Sequence, residues 1–333
     1  MSEATQAGLV PDKVRPWLVW LNRLGPLLGL ALIYTLLAVF GPPSFRSLGN
    51  LETIARQSTI VGTAAVGATL VIILGGIDLS VGSMIALSTV VIASLLMSGA
   101  PPILAALGGI GAAMICGMVN GFLITRLRMM PFIVTLGTLL IVRGAAKGLA
   151  HEQKIDAPIS WLNEIIATLP PERQFMVVPY GVWLLVLLAV AVAGILRYTP
   201  LGRHIFAIGS NELTARLCGV AVERVKLVVY ALSAAFAGLA GVMQFSRLTV
   251  GDPTVAMGAE LDVIAAVVIG GGSLSGGEGS ILGSLVGALI MTVIRSGCSQ
   301  MGLSNWLQEI ITGVIIVLAV ALDRWRHRAT VRY

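Results

Sequence analysis

Residues 74–83 read Leu-Gly-Gly-Ile-Asp-Leu-Ser-Val-Gly-Ser and break a long apolar run with a carboxylate, hydroxyls and a glycine cluster. A charge surrounded by lipid is expensive. The paired glycines Gly75 and Gly76 loosen a helix that otherwise satisfies its own backbone. Such a break is tolerable only against protein or in a polar cavity, so these residues indicate a membrane protein with an interior path. Asp78 has two readings. In one it caps, with Asp78 or Ser80 accepting backbone N–H bonds as the helix restarts. In the other it lines a pore and meets solute hydroxyls. The two roles are compatible.

A second glycine-interrupted stretch, residues 269–280, reads Ile-Gly-Gly-Gly-Ser-Leu-Ser-Gly-Gly-Glu-Gly-Ser. Matching interruptions in two halves of a chain point to a transport site, although glycine-rich hinges also resemble one another by chance. Gly271, Ser273 and Ser275 belong to this stretch. Ahead of it, Glu260 and Asp262 follow the turn signal Gly251-Asp252-Pro253. The two carboxylates suit a helix start at the outer surface, where they complement the dipole. Together with Asp252, they equally suit a periplasmic mouth or a docking contact.

Other chemistries find little support. A phosphate-binding loop needs Gly-Lys followed by Ser or Thr. The four lysines are Lys13, Lys147, Lys154 and Lys226, and none follows a glycine. Any ATP hydrolysis therefore belongs to another subunit. The three histidines, His151, His204 and His327, are placed in loops or at the tail, and no HExxH, GxSxG or paired metal-ligand spacing occurs. Within the spans, Asp78, Arg143, Glu260 and Asp262 with some hydroxyls offer too little for an intramembrane catalytic constellation. Cys116, Cys218 and Cys298 form no CxxC pair and read as free thiols packed among helices. No metal or cofactor is expected on this chain.

The segment from Thr199 to Val220 is the second informative region. Ser210 or Asn211 can cap a short helix, Glu212 favours its first turn, Arg216 lies later and Gly219 can end it. Leu213, Leu217 and Val220 fall at i, i+4 and i+7 on one apolar face. So short a helix is unstable in water without a partner. That partner is either its own membrane domain or a groove on a cytoplasmic ATPase.

The elements that carry these residues are membrane spans. The 333-residue chain is 56% hydrophobic and 11% charged, with mean hydropathy +0.93, against about 25% charged in a soluble domain. Apolar runs at 17–40, 52–74, 80–98, 102–125, 132–150, 177–196, 227–246, 259–272, 280–297 and 305–322 mostly approach the roughly 20 residues that cross a bilayer. The eighth is short and reads as a half-helix or a broken one. The reading is thus all-α: a polytopic membrane protein of about ten transmembrane helices, with both termini on the same side. The formal charge of +6 is not a nucleic-acid signal, because the basic residues sit between apolar runs. Most of the 22 Lys and Arg fall before span one, after span four, between spans six and seven and at the end, which makes that side cytoplasmic. This divides the chain into a cytoplasmic tail over 1–16, one transmembrane unit over 17–323 and a basic cytoplasmic tail over 324–333. Within the unit, 151–176 is a periplasmic segment and 197–226 a cytoplasmic loop. The periplasmic segment carries Pro158, Pro170 and Pro171 and is expected to hold a short helix around Ile159 to Leu169. Met1 to Val10 shows no order of a cleaved signal peptide, so the first run is expected to remain as an anchor.

Five blocks give the chain a family resemblance. They are Gly75 to Ser83; Asn120-Gly-Phe-Leu-Ile-Thr-Arg-Leu-Arg with Pro131 to Gly137; Gly202 to Glu212; Ala215 to Val220; and Glu260 to Gly271. In this order, across residues 50 to 320, they resemble the ribose/galactose/xylose-type permeases of bacterial ABC importers. The resemblance implies a fold like that of type II importer permeases and an inner-membrane location. It implies a second permease subunit (homo- or heterodimer), a cytoplasmic ABC ATPase that carries ATP and Mg, a periplasmic sugar-binding protein, and membrane lipid around the whole. It implies a coupling helix at Asn211, Glu212, Ala215, Arg216 and Gly219. It also implies a translocation path or helix breaks at Gly75, Gly76, Asp78, Ser80, Asn120, Gly271, Ser273 and Ser275. The chain departs from the family pattern at Ser210, at Leu213-Thr214, at Cys218 and through most of His151 to Gln174. The expected activity is alternating-access import of a monosaccharide or small polyol. The rivals are a permease of the same machinery for a nucleoside or branched-chain amino acid, an ion-coupled secondary transporter that would use Asp78, and a membrane enzyme.

Overall fold

The computed structural model describes residues 16–169 and 178–331. The expected N-terminal tail, up to residue 15, and the Pro170-Pro171 pair lie outside the described residues. Each of the ten apolar runs forms a helix: α1 (Pro16–Phe40), α2 (Leu48–Ile73), α3 (Val81–Met97), α4 (Pro102–Arg126), α5 (Pro131–Leu149), α6 (Tyr180–Tyr198), α9 (Val222–Leu248), α10 (Ala259–Ile269), α11 (Ile281–Gln300) and α12 (Asn305–Val331). Between spans six and seven lie α7 (Pro200–Ser210) and α8 (Glu212–Leu217). Prolines at the first helical position start α4, α5 and α7, where a missing N–H costs nothing. Among the described residues, α2, α4, α5, α6, α9 and α11 are each long and apolar enough to cross a membrane alone. The chain is therefore an all-α, polytopic membrane protein.

Burial sorts the spans into layers. The apolar windows of α2 and α11 are 83% and 72% buried and that of α9 is 56%, against 28% for each of α4, α5 and α6. The inner helices form the core, and the outer ones turn Leu107, Ile115, Phe122, Leu140, Ile141, Leu187 and Val190 outward, as a lipid-facing surface requires. α4 lies tightly along α9 through Gly117 and Gly121, one turn apart. A Cβ at Gly117 would collide with the Tyr230 carbonyl oxygen, and one at Gly121 would sit 2.9 Å from Leu227 Cα. This is the small-residue contact that lets membrane helices approach.

Both glycine-rich stretches end a helix in the same way. Gly75, at φ +84°, lets its N–H reach Ile72 O while Gly76 N–H reaches Val71 O. Gly271, at φ +92°, does the same with Val268 while Gly272 reaches Val267. Each is the glycine-dependent cap that satisfies a helix's last carbonyls. The two turns touch, with Gly277 N–H donating to Ile73 O at 2.8 Å. After the first cap the chain runs without regular structure to Ser80 before α3 starts. The matching entry into α10 is not at Gly270–Gly277 but over 252–258, where the chain returns inward from β2 (Val250–Gly251) and turns at Gly258, φ +78°. α3 and α10 then start side by side: a Cβ at Gly82 would strike the Glu260 carboxylate.

At the end of the bundle opposite α7 and α8, β1 (Ile155–Asp156) pairs antiparallel with β2. The helix expected at Ile159 to Leu169 is only a 3-10 turn, Trp161–Glu164. It stops there because other helices take the next backbone groups. Ser246 Oγ accepts from Ile166 N, Arg56 Nε donates to Ile166 O, and Glu52 accepts from Leu169 N. One further expectation changes: His204 lies within α7 rather than a loop. The backbone of α12 runs on through 324–331.

Candidate functional site

A chain of polar side chains crosses the bundle behind the first break. Thr138 Oγ1 on α5 donates to Asn120 Oδ1 on α4 at 2.6 Å. Asn120 Nδ2 donates to Ser80 Oγ at 3.0 Å, and Ser80 Oγ donates to Asp78 Oδ1 at 2.5 Å. Ser80 N–H reaches the same Asp78 oxygen at 2.9 Å, and Thr135 Oγ1 donates to Ile77 O. Asp78, Ser80 and Asn120 are all buried. Asp78 therefore ties the segment before α3 to itself and, through Ser80 and Asn120, to α4 and α5. It does not accept from the first turn of α3, and it does not stand in an open channel. Its Oδ2 and the Tyr230 hydroxyl, which lies against Gly76, are buried without hydrogen-bond partners. Sequence alone singled out every member of this network except Thr135, Thr138 and Tyr230. Their signal is only that hydroxyls sit on otherwise apolar helices.

The carboxylates expected at an outer mouth are dispersed. Asp252 accepts from Thr254 N and Oγ1 at 2.8 and 2.6 Å and pairs with Lys154 at 3.3 Å. It thereby ties the second break to the loop beside β1. Glu260 and Asp262 occupy the first turn of α10, as their dipole preference requires, but inside the bundle rather than at a surface, because 252–258 carries the chain inward. Asp262, 2% exposed, pairs with Arg295 of α11 at 2.5 Å. Arg143, on α5, fixes the second break by donating to Pro253 O and Val255 O at 2.9 and 2.7 Å.

Gly271, Ser273 and Ser275 lie in the turn after α10, with Ser275 N–H donating to Ser273 Oγ at 3.2 Å. This turn meets α7. A Cβ at Gly209 would collide with Ile73 O and lie 2.6 Å from Gly277 N. The α7–α8 hairpin thus rests on the ends of both α2 and α10.

In α8 the sequence-derived caps are in place. Asn211 Oδ1 accepts from Thr214 N at 2.9 Å. At the other end Gly219, φ +83°, donates to Arg216 O and Val220 to Ala215 O. Glu212 bonds Lys226 at 2.7 Å and Arg216 at 3.3 Å, and Arg216 also pairs with Glu223. Burial opposes ionising Glu212, but these two cations outweigh it and hold its carboxyl below the ordinary 4.5. Ala215 faces inward, whereas Leu213 and Leu217 are 68% and 80% exposed. The expected third member of that face, Val220, lies beyond the cap and is folded back. Beside α8 a cavity of about 460 Å³ is lined by residues that include Ile124, Arg128, Met129, Glu212 and Lys226. Cys218 is exposed just after α8, not packed among helices; Cys116 is half-buried and Cys298 buried, and all three are free. Among the described residues no group of three His, Cys, Asp or Glu could hold a metal ion.

Discontinuous helices inside a ring of apolar spans, joined to a protruding hairpin, define a multi-pass membrane permease. Residues 50–320 match the family described as the permease component of the branched-chain amino acid transport system, and the chain belongs to that family. It is 40% identical over 305 residues to the ribose import permease RbsC of Bacillus subtilis, covering 91% of this chain and 93% of that one. It is 34% identical over 328 residues to the L-arabinose ABC transporter permease AraH of Azospirillum brasilense, covering 98% and 95%. It is 37% identical over 306 residues to the fructose import permease FrcC of Rhizobium meliloti, covering 90% and 84%.

Proposed function

We propose that this chain is the membrane-spanning subunit of a bacterial ABC importer that carries a monosaccharide or similar small polyol inward. The family and the sugar permeases to which the chain is similar support the class. The observation that carries the mechanism is α8: a capped, ion-paired helix that presents Leu213 and Leu217 to solvent. Exposed leucines on so short a helix suit a groove on a partner ATPase, which carries the ATP and Mg. The side bearing α7, α8 and both termini is then cytoplasmic, in the inner membrane. The β1–β2 side faces the periplasm and a sugar-binding protein, and 17–323 acts as one transmembrane unit that pairs with a second permease.

In this reading ATP closes the motor subunits and moves α8. α7 passes the movement through Gly209 to the touching ends of α2 and α10. The discontinuous helices α3 and α10 then shift against each other and expose the path to the opposite side. The buried network around Asp78 holds the α2–α3 break in shape during the shift.

The test is co-purification with an ABC ATPase from the same genomic neighbourhood, comparing the native chain with a Leu213→Glu, Leu217→Glu double variant. Both side chains are exposed, so the variant should fold normally and lose the ATPase. An ATPase that stays bound to the variant, or solute uptake by the chain alone without ATP, overturns the assignment.

A further inference from the structure

At the end of the bundle opposite the hairpin, α2, α11 and α12 line a half-open cavity of about 210 Å³ whose walls include Asn50, Gln57, Arg295, Ser299, Gln300 and Gln308. Amides, a hydroxyl and one guanidinium thus gather on helices that are otherwise apolar. Three features of these walls point to one ligand chemistry.

The first is charge. Arg295 is 48% exposed on α11, a helix apolar enough to span the membrane. A cation facing hydrocarbon is expensive, so this face borders water or a solute rather than lipid. Asp262 neutralises Arg295, and no carboxylate lines the cavity. The walls therefore carry no net charge with which to retain an ion. The second is the donor and acceptor balance. Amides and hydroxyls both donate and accept, which matches sugar hydroxyls. The third is order. Asn50 is 4% exposed and held by Phe45 O at 2.9 Å, Ser296 Oγ at 2.8 Å and Gln300 Nε2 at 3.2 Å. A pre-set polar wall binds without first losing side-chain freedom. At about 30 Å³ per water, the space holds roughly seven waters, or one monosaccharide in their place.

We propose that this cavity is a way station for a neutral polyol, occupied before the solute reaches the broken helices. The proposal rests on the importer reading above, which makes this the periplasmic side. Its wall is already linked to the moving parts. Arg295 pairs with Asp262 in the first turn of α10, and Glu260 of the same turn lies against Gly82 at the start of α3. A polyol bound to Arg295 is therefore one ion pair away from the element that must move.

The test has two arms. In the first, the complete importer is reconstituted in vesicles, and uptake of D-ribose, L-arabinose and D-fructose is compared between the native chain and a Gln57→Leu, Gln308→Leu variant. Losing two neutral hydrogen bonds should slow uptake by about five- to a hundredfold. In the second, Ser299→Cys is introduced into a Cys218→Ser chain, which removes the exposed native thiol; the solubilised permease is labelled with a polar maleimide, with the Cys218→Ser chain as blank. The same sugars should protect it. Native uptake rates in the double variant together with unprotected labelling overturn the way station. So does a variant whose permease subunits separate, since the cavity would then be a seam between two copies. Native vesicles that move none of the sugars sink the importer reading instead. The labelling arm needs no transport and still decides the cavity.

Discussion

Asp78 distinguishes a positioning carboxylate from an ion-coupling one. Both bonds it receives, from Ser80 N–H at 2.9 Å and Ser80 Oγ at 2.5 Å, end on Oδ1. Asp78→Asn keeps that acceptor and its shape; the amide NH2 it puts at the unpartnered Oδ2 position costs about 1–3 kcal/mol, and removal of a buried, unpartnered carboxylate oxygen offsets a cost of similar size, so the net change should be about 1 kcal/mol or less. Asp78→Ala removes both bonds and leaves the buried Ser80 donors without an acceptor. A hydrogen bond contributes about 1 kcal/mol net, and a stranded buried donor costs about 1–3 kcal/mol. The sum is about 3 kcal/mol, or roughly a hundredfold in the unfolding equilibrium. For a chain of this size that lowers the thermal midpoint by about 6 °C, at roughly 2 °C per kcal/mol. The assay pairs thermal unfolding in nanodiscs with ATP-driven sugar uptake in vesicles. Asn should resemble the native chain in both, and Ala should lose stability and uptake together. An Asn variant that unfolds like the native chain yet no longer transports would falsify the positioning role. It would make the titratable proton of Asp78 the functional group.

Three further outcomes follow from the packing. Gly117→Ala drives a Cβ into the Tyr230 carbonyl and should cost about 1–3 kcal/mol. Gly137→Ala, on α5 with no atom within 4 Å of the new Cβ, should gain about 0.5–1 kcal/mol; similar effects at the two sites in denaturation would contradict the α4–α9 contact. Gly209→Val should keep the ATPase bound and hydrolysing while uptake falls at least about tenfold, because the side chain forces α7 off Ile73 and Gly277; unchanged uptake removes α7 from the route. Because Glu212 titrates below its ordinary value, its ion pairs with Lys226 and Arg216 stabilise α8 fully above about pH 5 and lose that contribution as the pH falls through the depressed value. The protection of the α8 amides, taken relative to intrinsic exchange at each pH, should therefore fall on acidification below pH 4.5 in the native chain and change little in Glu212→Gln; equal acidification profiles refute the pairing.

The parts of this structure that were legible in the sequence are those fixed locally. The ten helices on the apolar runs follow from apolar length, and the caps at Asn211 and Gly219 follow from side-chain chemistry within one turn. The first break followed from Gly75, Gly76 and Asp78, which no uninterrupted lipid-facing helix would carry. The break at Gly270–Gly277 is present as well, but the turn over 252–258 that leads into α10 carries no such signal. Gly270–Gly277 resembles Gly75–Ser83 because both stretches hold the glycine cap that ends a helix, and that cap is local. The segment before α10 is a series of turns that includes Asp252, Pro253 and Gly258 and shares little composition with its counterpart. Only the long-range packing of Gly82 against Glu260 relates the two. Likewise Leu213, Leu217 and Val220 fall on one face at helical spacing, but α8 ends at Leu217 and the left-handed Gly219 takes Val220 off that face. Periodicity describes a helix that continues; it carries no information on where the helix stops.

α10 joins these observations into one mechanical argument. Its 11 residues span about 16 Å at 1.5 Å per residue, too short to cross a membrane and long enough to link two sites. One end is capped by Gly271 in the turn that meets Ile73 of α2 and Gly209 of α7. The other end holds Asp262, which is paired with the cavity-lining Arg295, and Glu260, which lies against the start of α3. The contacts at the hairpin end are backbone against backbone, because glycine leaves no side chain there to absorb a displacement by changing rotamer. A close-packed interior passes on such a displacement rather than dissipating it. In the proposed importer, movement of α8 at one end and occupancy of the proposed way station at the other would therefore bias the same short helix. By linkage, whatever a motor does to a solute site through α10, the solute does in return to the motor.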